Sequence, residues 1–169
     1  MQRGQAVLVD TNIIIEAVRT GCWNAVTTHF SAQTVEKCRE EARTGEARRP
    51  GYVEVSEKAL REKLTAHRVS EAELAALSLR DAEVFRLDAG ERHLWAHAAA
   101  RTDAWIACCC DQAAVNSAVR LDWGDRIVSL EELASAAGAR QAARQLKAQF
   151  SSARLSAWRT AALLRRGVK

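Results

Sequence analysis

Ala6-Val7-Leu8-Val9-Asp10-Thr11-Asn12 is the stretch on which the fold turns. Its four consecutive apolar residues leave no alternation between inside and outside, so they read as a strand covered on both faces, as strands of a parallel sheet are. Asp10 stands at the carboxyl end of that strand. Asn12 can accept a backbone N–H bond and cap the helix predicted from Ile13 to Val18. Strand, turn and helix make the first half of a βα unit.

The same reading extends along the chain. A short helical stretch near Trp23 leads to a brief strand at His29-Phe30, and Ser31 opens a helix that carries Val35-Glu36-Lys37-Cys38 and runs to Arg43. Gly45 and Pro50 mark a loop, and Tyr52-Val53-Glu54-Val55 alternates as an edge strand does. Helices are expected on both sides of Arg68, the first opened by Ser56 and the second by the capping box Ser70-x-x-Glu73. Asp88-Ala89-Gly90-Glu91 precedes a helix from Arg92 to Arg101. The run Ala104 to Cys110 is apolar throughout and too short for another helix, so it predicts a central strand ending at Asp111. A helix from Gln112 to Arg120, a turn at Gly124-Asp125, a strand at Arg126-Ile127-Val128 and a capped helix at Ser129-x-x-Glu132 follow. Strands separated by helices imply an α/β fold with a parallel sheet, in which ligands bind beyond the carboxyl ends of the strands. Asp10 and Asp111 are both predicted there.

Composition bounds the rest. The chain has 169 residues, 48% of them hydrophobic, with a mean hydropathy of −0.23, which fits one globular domain with a sizeable core. No apolar run approaches the roughly 20 residues of a membrane span, and Met1-Gln2-Arg3-Gly4 begins no signal-peptide pattern, so a cytoplasmic protein without a membrane partner is expected. Five cysteines are an odd number without Cys-x-x-Cys spacing, and they read as reduced core thiols. His93 and His97 are four apart, a spacing that zinc sites also use, but Glu is misplaced for His-Glu-x-x-His and no third ligand stands out. They read as ordinary core or surface histidines.

Charge is unevenly spread. No acidic residue follows Glu132, whereas Arg140, Arg144, Lys147, Arg154, Arg159, Arg165, Arg166 and Lys169 all do. The net +4 of the chain therefore joins an acidic body to a basic tail. Leu155, Trp158 and Ala162 in that tail fall at helical spacing among arginines, which predicts an amphipathic basic helix. It can dock on the body or grip a polyanion, and phosphate attraction would make the latter sensitive to salt.

Four acids sit where a strand ends or a helix begins: Asp10, Glu36, Glu91 and Asp111. Carboxylates brought together repel and hold protons unless a cation neutralises them. Magnesium suits such a site, since it takes hard oxygen ligands and keeps waters. Each acid also has a plain structural reading. Asp10 can be a turn residue, Glu91 the end of a capping box begun by Asp88, and Asp111 the N-cap of the next helix. Glu36, with Glu40 and Glu41 nearby, can belong to a solvated helix face.

The order and settings of these acids resemble the PIN-domain nucleases, whose best-known members are the VapC-like toxins of toxin–antitoxin pairs. Val7-Leu8-Val9-Asp10-Thr11-Asn12 is similar to the family's opening motif, Gly90-Glu91 to the pair that opens the helix bearing a metal-site acid, and Cys110-Asp111-Gln112-Ala113-Ala114 to the acid closing the central strand. The closing segment Arg126 to Leu133 is also in place. The resemblance covers about Gln5 to Ala137. It implies a PIN-like three-layer α/β/α domain over residues 1–138, with a basic helical extension over 139–169. It also implies a magnesium- or manganese-dependent endoribonuclease, of which the toxin of a type II pair is one form, with Asp10, Glu36, Glu91 and Asp111 catalytic. Asp10, Glu91 and Asp111 would hold the metal, with Thr11, Asn12 and Asp125 in support. RNA would be the substrate, and a cognate antitoxin and a second copy of the chain would be partners. Arg154, Arg159, Arg165 and Arg166 are the candidate nucleic-acid contacts. The rival expectation is a non-catalytic PIN-like module that binds RNA or protein through the tail. A haloacid-dehalogenase-like phosphatase fits less well, since Asn12 stands where its Asp-x-Asp-x-Thr motif needs a second Asp.

Overall fold

A computed structural model describes residues 1–44, 60 and 62–167. The strands β1 (Ala6–Val9), β2 (Ser31–Val35), β3 (Thr65–His67), β4 (Trp105–Cys108) and β5 (Ile127–Val128) form one sheet in the order β3-β2-β1-β4-β5, and every pairing is parallel. The helices are α1 (Thr11–Thr20), α2 (Trp23–His29), α3 (Glu36–Thr44), α4 (Glu71–Arg80), α5 (Ala89–Ala100), α6 (Gln112–Arg120), α7 (Leu130–Ala136), α8 (Arg140–Ala143) and α9 (Ser152–Gly167).

Strand residues alternate between two apolar clusters, as the twofold period of a strand requires. Val7, Val9, Ile106 and Cys108 join one cluster with Ile13, Ile14 and Leu133. Leu8, Ala107 and Cys109 join the other with Leu94, Trp95 and Val115. Both faces of the sheet are thus covered, an arrangement compatible with a three-layer α/β/α fold. The chain runs outward from β1 through β2 to β3, then crosses back to lay β4 on the other side of β1. That reversal opens a crevice at the carboxyl ends of β1 and β4, the place where open α/β sheets bind ligands.

Local readings hold at β1, β4 and α6, and the capping boxes at Ser70 and Ser129 are both present. The second strand differs. His29-Phe30 closes α2, and the strand is Ser31–Val35, so the helix expected from Ser31 begins only at Glu36. Lateral pairing with β1 and β3 holds this polar segment extended, and Thr34 donates its hydroxyl to the Val9 carbonyl at 2.7 Å. Asp10, not Asn12, caps α1, accepting from the Ile13 N–H at 2.7 Å, while Asn12 is exposed. The expected strand at Tyr52–Val55 and the helix opened by Ser56 lie outside the described residues.

The basic tail folds onto the body. Phe150 enters one apolar cluster and Leu155 the other, with Trp158 half-buried beside it. Polar anchors accompany them. Glu131 accepts from the Ser152 N–H at 2.8 Å and from its hydroxyl at 2.9 Å, and Glu16 accepts from the Lys147 N–H at 2.9 Å. Arg159 donates to the Ile127 carbonyl, Arg165 to Asn116, and Arg166 to Asp122 and the Val119 carbonyl. Arg154 stays outside, its guanidinium 5.8 Å from the Trp158 ring centroid. All five cysteines are free and buried. No helix among the described residues is long and apolar enough to cross a membrane.

Candidate metal centre

Asp10 extends β1 into the crevice and is 2% exposed. Its Oδ1 is held by the Ile13 N–H, while Oδ2 is buried without a hydrogen-bond partner. Glu91 lies on the first turn of α5, where Asp88 caps the helix by accepting from the Glu91 N–H at 2.8 Å. The Glu91 carboxyl turns inward, and it lines a narrow cleft with Asp10, Leu94, Trp95, Cys109 and Ala114. Asp111 caps α6, its Oδ1 accepting from the N–H groups of Ala113 at 2.6 Å and Ala114 at 3.1 Å. Cap and crevice positions coincide because α1 follows β1 after one residue and α6 follows β4 after three, each with its cap at the carboxyl edge of the sheet.

These carboxyls feel one another. Burial, reinforced by the charges of Asp88 and Asp111, pushes Asp10 up to about 7 against the downward pull of the Ile13 N–H. Burial pushes Glu91 up to about 9, with Asp111, Asp88 and Asp10 adding repulsion. Asp88, read from the sequence only as a cap, is thus a fourth acid at the crevice. Its proximity to Glu91 was visible in the spacing, but its side of the helix was not. Cys38 is pushed up to about 12 by burial and by the Asp10 charge. The thiols of Cys108, Cys109 and Cys110 are also raised, chiefly by burial. Protonated thiols are poor metal ligands, which leaves the hard carboxylate oxygens as the donor set.

Glu36 lies elsewhere. It is exposed and lines a surface groove with Lys37, Arg39, Arg68 and His93. The acid of α3 that turns towards the crevice is Glu41, whose Oε2 accepts from the Thr11 hydroxyl at 3.1 Å. The same hydroxyl is 3.1 Å from the Cys38 carbonyl, so Thr11 ties α1 to α3. Gly90 makes the close approach of α3 and α5 feasible: a Cβ there would lie 2.5 Å from Glu41 Oε2 and 3.0 Å from Cys38 Sγ. The available sequence signal was the spacing Cys38-x-x-Glu41, which puts an apolar residue and an acid on one helix face once the helix starts at Glu36.

The remaining candidates are peripheral. Asn12 and Asp125 are exposed, the latter in the short 3-10 turn Gly124–Arg126. His93 Nδ1 is 2.7 Å from the Ala89 carbonyl, and His97 stacks on His67 with ring centroids 4.2 Å apart. Among the described residues, no three His, Cys, Asp or Glu side chains surround a single point closely enough to form a ready cage for a metal. Magnesium requires no such cage, since it is usually held by one or two protein carboxylates and completes its shell with water and substrate oxygen. The unpartnered Asp10 Oδ2 and the repelling acids around it fit an ion of that kind.

No family model, no curated protein and no solved structure matches the chain.

Proposed function

We propose that the chain is a magnesium- or manganese-dependent ribonuclease of PIN-domain type. The observation that carries the reading is the gathering of Asp10, Glu91 and Asp111, from distant parts of the sequence, at the carboxyl ends of β1 and β4, with one Asp10 oxygen buried and unpartnered. Asp10 and Glu91 are the residues that would hold the ion, with Asp111 fixed beside them by two backbone N–H groups. When bound, a divalent ion supplies Lewis acidity towards water and phosphodiester oxygen, the chemistry that phosphodiester hydrolysis needs.

The protein's own groups do the rest. With its carboxyl pushed up to about 9, Glu91 carries a proton at neutral pH in the ion-free state, and Asp10, at about 7, does so in part; both give up protons as the ion binds, which links ion affinity to pH. Leu94, Trp95 and Ala114 line the cleft and keep bulk water from screening the carboxylates. Thr11 holds Glu41 at the opposite rim, where its carboxylate is placed to orient a water or an incoming hydroxyl. As the resemblance implies, RNA is the substrate, and a cognate antitoxin and a second copy of the chain are the expected partners.

The test is cleavage of single-stranded and structured RNAs in magnesium or manganese, alongside an EDTA control and Asp10→Asn. Cleavage abolished in both controls supports the reading. RNA degradation that persists in EDTA, or that is unchanged by Asp10→Asn, refutes it.

A further inference from the structure

A second charged feature lies along the same helix that Asp111 caps. Asn116 and Arg120, four apart on α6, face a groove of about 420 Å³ whose other walls are Glu83 and Arg86 and the α9 residues Ala162, Arg165 and Arg166. All four arginines are exposed. On the helical rise, the groove starts about 7 Å along the axis from Asp111 and ends about 14 Å from it. It thus lies one to two turns along α6 from the crevice, on another side of that helix.

The arginines are held by partners of unequal strength. Arg120 is fixed by Asp81 through Nε and Nη2, a pair whose acid side is buried. Arg86 pairs with Glu83 and Arg166 with Asp122, and in both pairs each side chain is well exposed. Exposed pairs of this kind contribute little and exchange readily with a competing anion. Arg165 is bonded to a neutral amide, Asn116 Oδ1, and keeps its full charge. Guanidinium groups match phosphate through paired N–H donors, so the groove can take successive phosphates of a polyanion.

Next to Arg86, Phe85 presents its ring to solvent at 66% exposure, with the Arg86 guanidinium 5.9 Å from its centroid. A free aromatic face beside arginines is the pairing that binds unpaired nucleic-acid bases, since every base has a face to stack. A duplex hides those faces and offers phosphates alone.

We infer that the groove formed by Arg86, Asn116, Arg120, Arg165 and Arg166, with Phe85 beside Arg86, is a binding track for single-stranded RNA, separate from the carboxylate crevice and one to two helical turns from it. The identity of the polyanion rests on the nuclease reading. The charge and the aromatic ring do not.

The experiment is fluorescence anisotropy of a labelled single-stranded RNA oligonucleotide in EDTA, where nothing is cut, titrated with wild type, Arg86→Ala/Arg165→Ala, Phe85→Ala and the distant Arg3→Ala. The expected result is a loss of affinity of about tenfold for the double arginine variant, with the salt dependence shallower by one to two phosphates. Phe85→Ala should lose at least about fivefold, with Arg3→Ala unchanged. Circular dichroism checks that the surface variants stay folded, and Phe85→Ala gives a second reading that involves no charge. Unchanged RNA affinity in both groove variants overturns the inference. So does a duplex bound as tightly as the single strand, or a polyglutamate peptide that outcompetes RNA for the groove. Groove-dependent binding without cleavage in magnesium sinks the nuclease and leaves the track standing. Cleavage and affinity that are equal in wild type and the double variant do the reverse.

Discussion

Asp10 and Asp81 are both buried, at 2% and 6% exposure, and both cap the element that follows them, yet their chemistry runs in opposite directions. Asp81 is saturated: Arg120 meets it through two nitrogens at 2.9 and 2.8 Å, Ser117 donates to it at 2.8 Å, and the Glu83 N–H at 3.1 Å. Burial alone would raise its carboxyl, but these donors hold it below the ordinary range. Asp10 has only backbone N–H groups, chiefly that of Ile13, on its charge, and the charged groups that act on it are acids. Burial with partners makes a clasp. Burial without them leaves a charge that is relieved only by a proton or by a cation.

The largest break in this comparison is Asp10→Asn, which removes the buried charge from the proposed ion site. Magnesium-dependent RNA cleavage should fall by about a thousandfold, or roughly 4 kcal/mol in the barrier. Glu41→Gln should lower turnover by about a hundredfold, while Glu36→Gln should stay within about twofold of wild type. Single-turnover rates on one RNA separate the two glutamates. Equal losses would undo the assignment of Glu41 to the crevice.

On the clasp side, Asp81→Ala strands the Ser117 hydroxyl and the Arg120 guanidinium. Arg120 can reach water, which limits the loss of stability to about 3 kcal/mol, read as a shift in the urea midpoint. A change under about 1 kcal/mol would make the pair incidental.

Titration sharpens the contrast. In the metal-free protein, Asp10 and Glu91 hold protons that the unfolded chain has already lost. Their contribution to stability is complete below about pH 4 and drains away as pH rises through 7 for Asp10 and towards 9 for Glu91. Asp81 runs the other way: its contribution is present above the ordinary carboxylate range and is lost as pH falls through its lowered value. Urea unfolding in EDTA should therefore show wild type weakening from pH 5 to 8. Asp10→Asn should recover roughly 2 kcal/mol at the upper end, and magnesium should do the same for wild type. A flat profile in EDTA would mean that burial does not raise these carboxyls.

The smallest expected stability effect belongs to Gly90→Ala. Its Cβ meets the flexible tip of Glu41 first and then the buried Cys38 Sγ at 3.0 Å, which must give by a few tenths of an ångström; set against the better helix propensity of Ala, the net cost is about 1 kcal/mol. Glu41 must swing away to make room. Magnesium affinity, followed through the fluorescence of Trp95 in the cleft, should weaken more than the urea midpoint moves.

Much of this was legible in the chain. The continuous apolar runs gave β1 and β4 because a strand covered on both faces has no polar side to show, and the caps at Ser70, Asp111 and Ser129 are written in single residues. β2 was not legible: Ser31-Ala32-Gln33-Thr34-Val35 carries a helix-cap residue and two polar side chains, and its extended form comes from the neighbouring strands. β3 has only three residues, too few to show a period. The misplaced start of α3 carried forward into the choice of acid, because moving a helix origin by five residues turns a different face inward. That Asp10, Glu91 and Asp111 lie at the crevice was legible because strand ends and helix starts fix their positions. The approach of Glu41 to Thr11 was not, because a mid-helix acid is placed only by tertiary packing.

The strand order also bears on how the chain comes to be assembled. β1 pairs with β4 across about a hundred residues, Ala6 opposite Trp105 and Val9 opposite Cys108. Closing so long a loop is slow in entropy terms, and it must precede the meeting of Asp10 with Asp111. A chain emerging from the ribosome can pair β1 with β2 early, but it stays without its acidic cluster until β4 has been made and threaded beside β1. Synthesis itself then acts as a timer, and fragments cut short before residue 105 are expected to be inert.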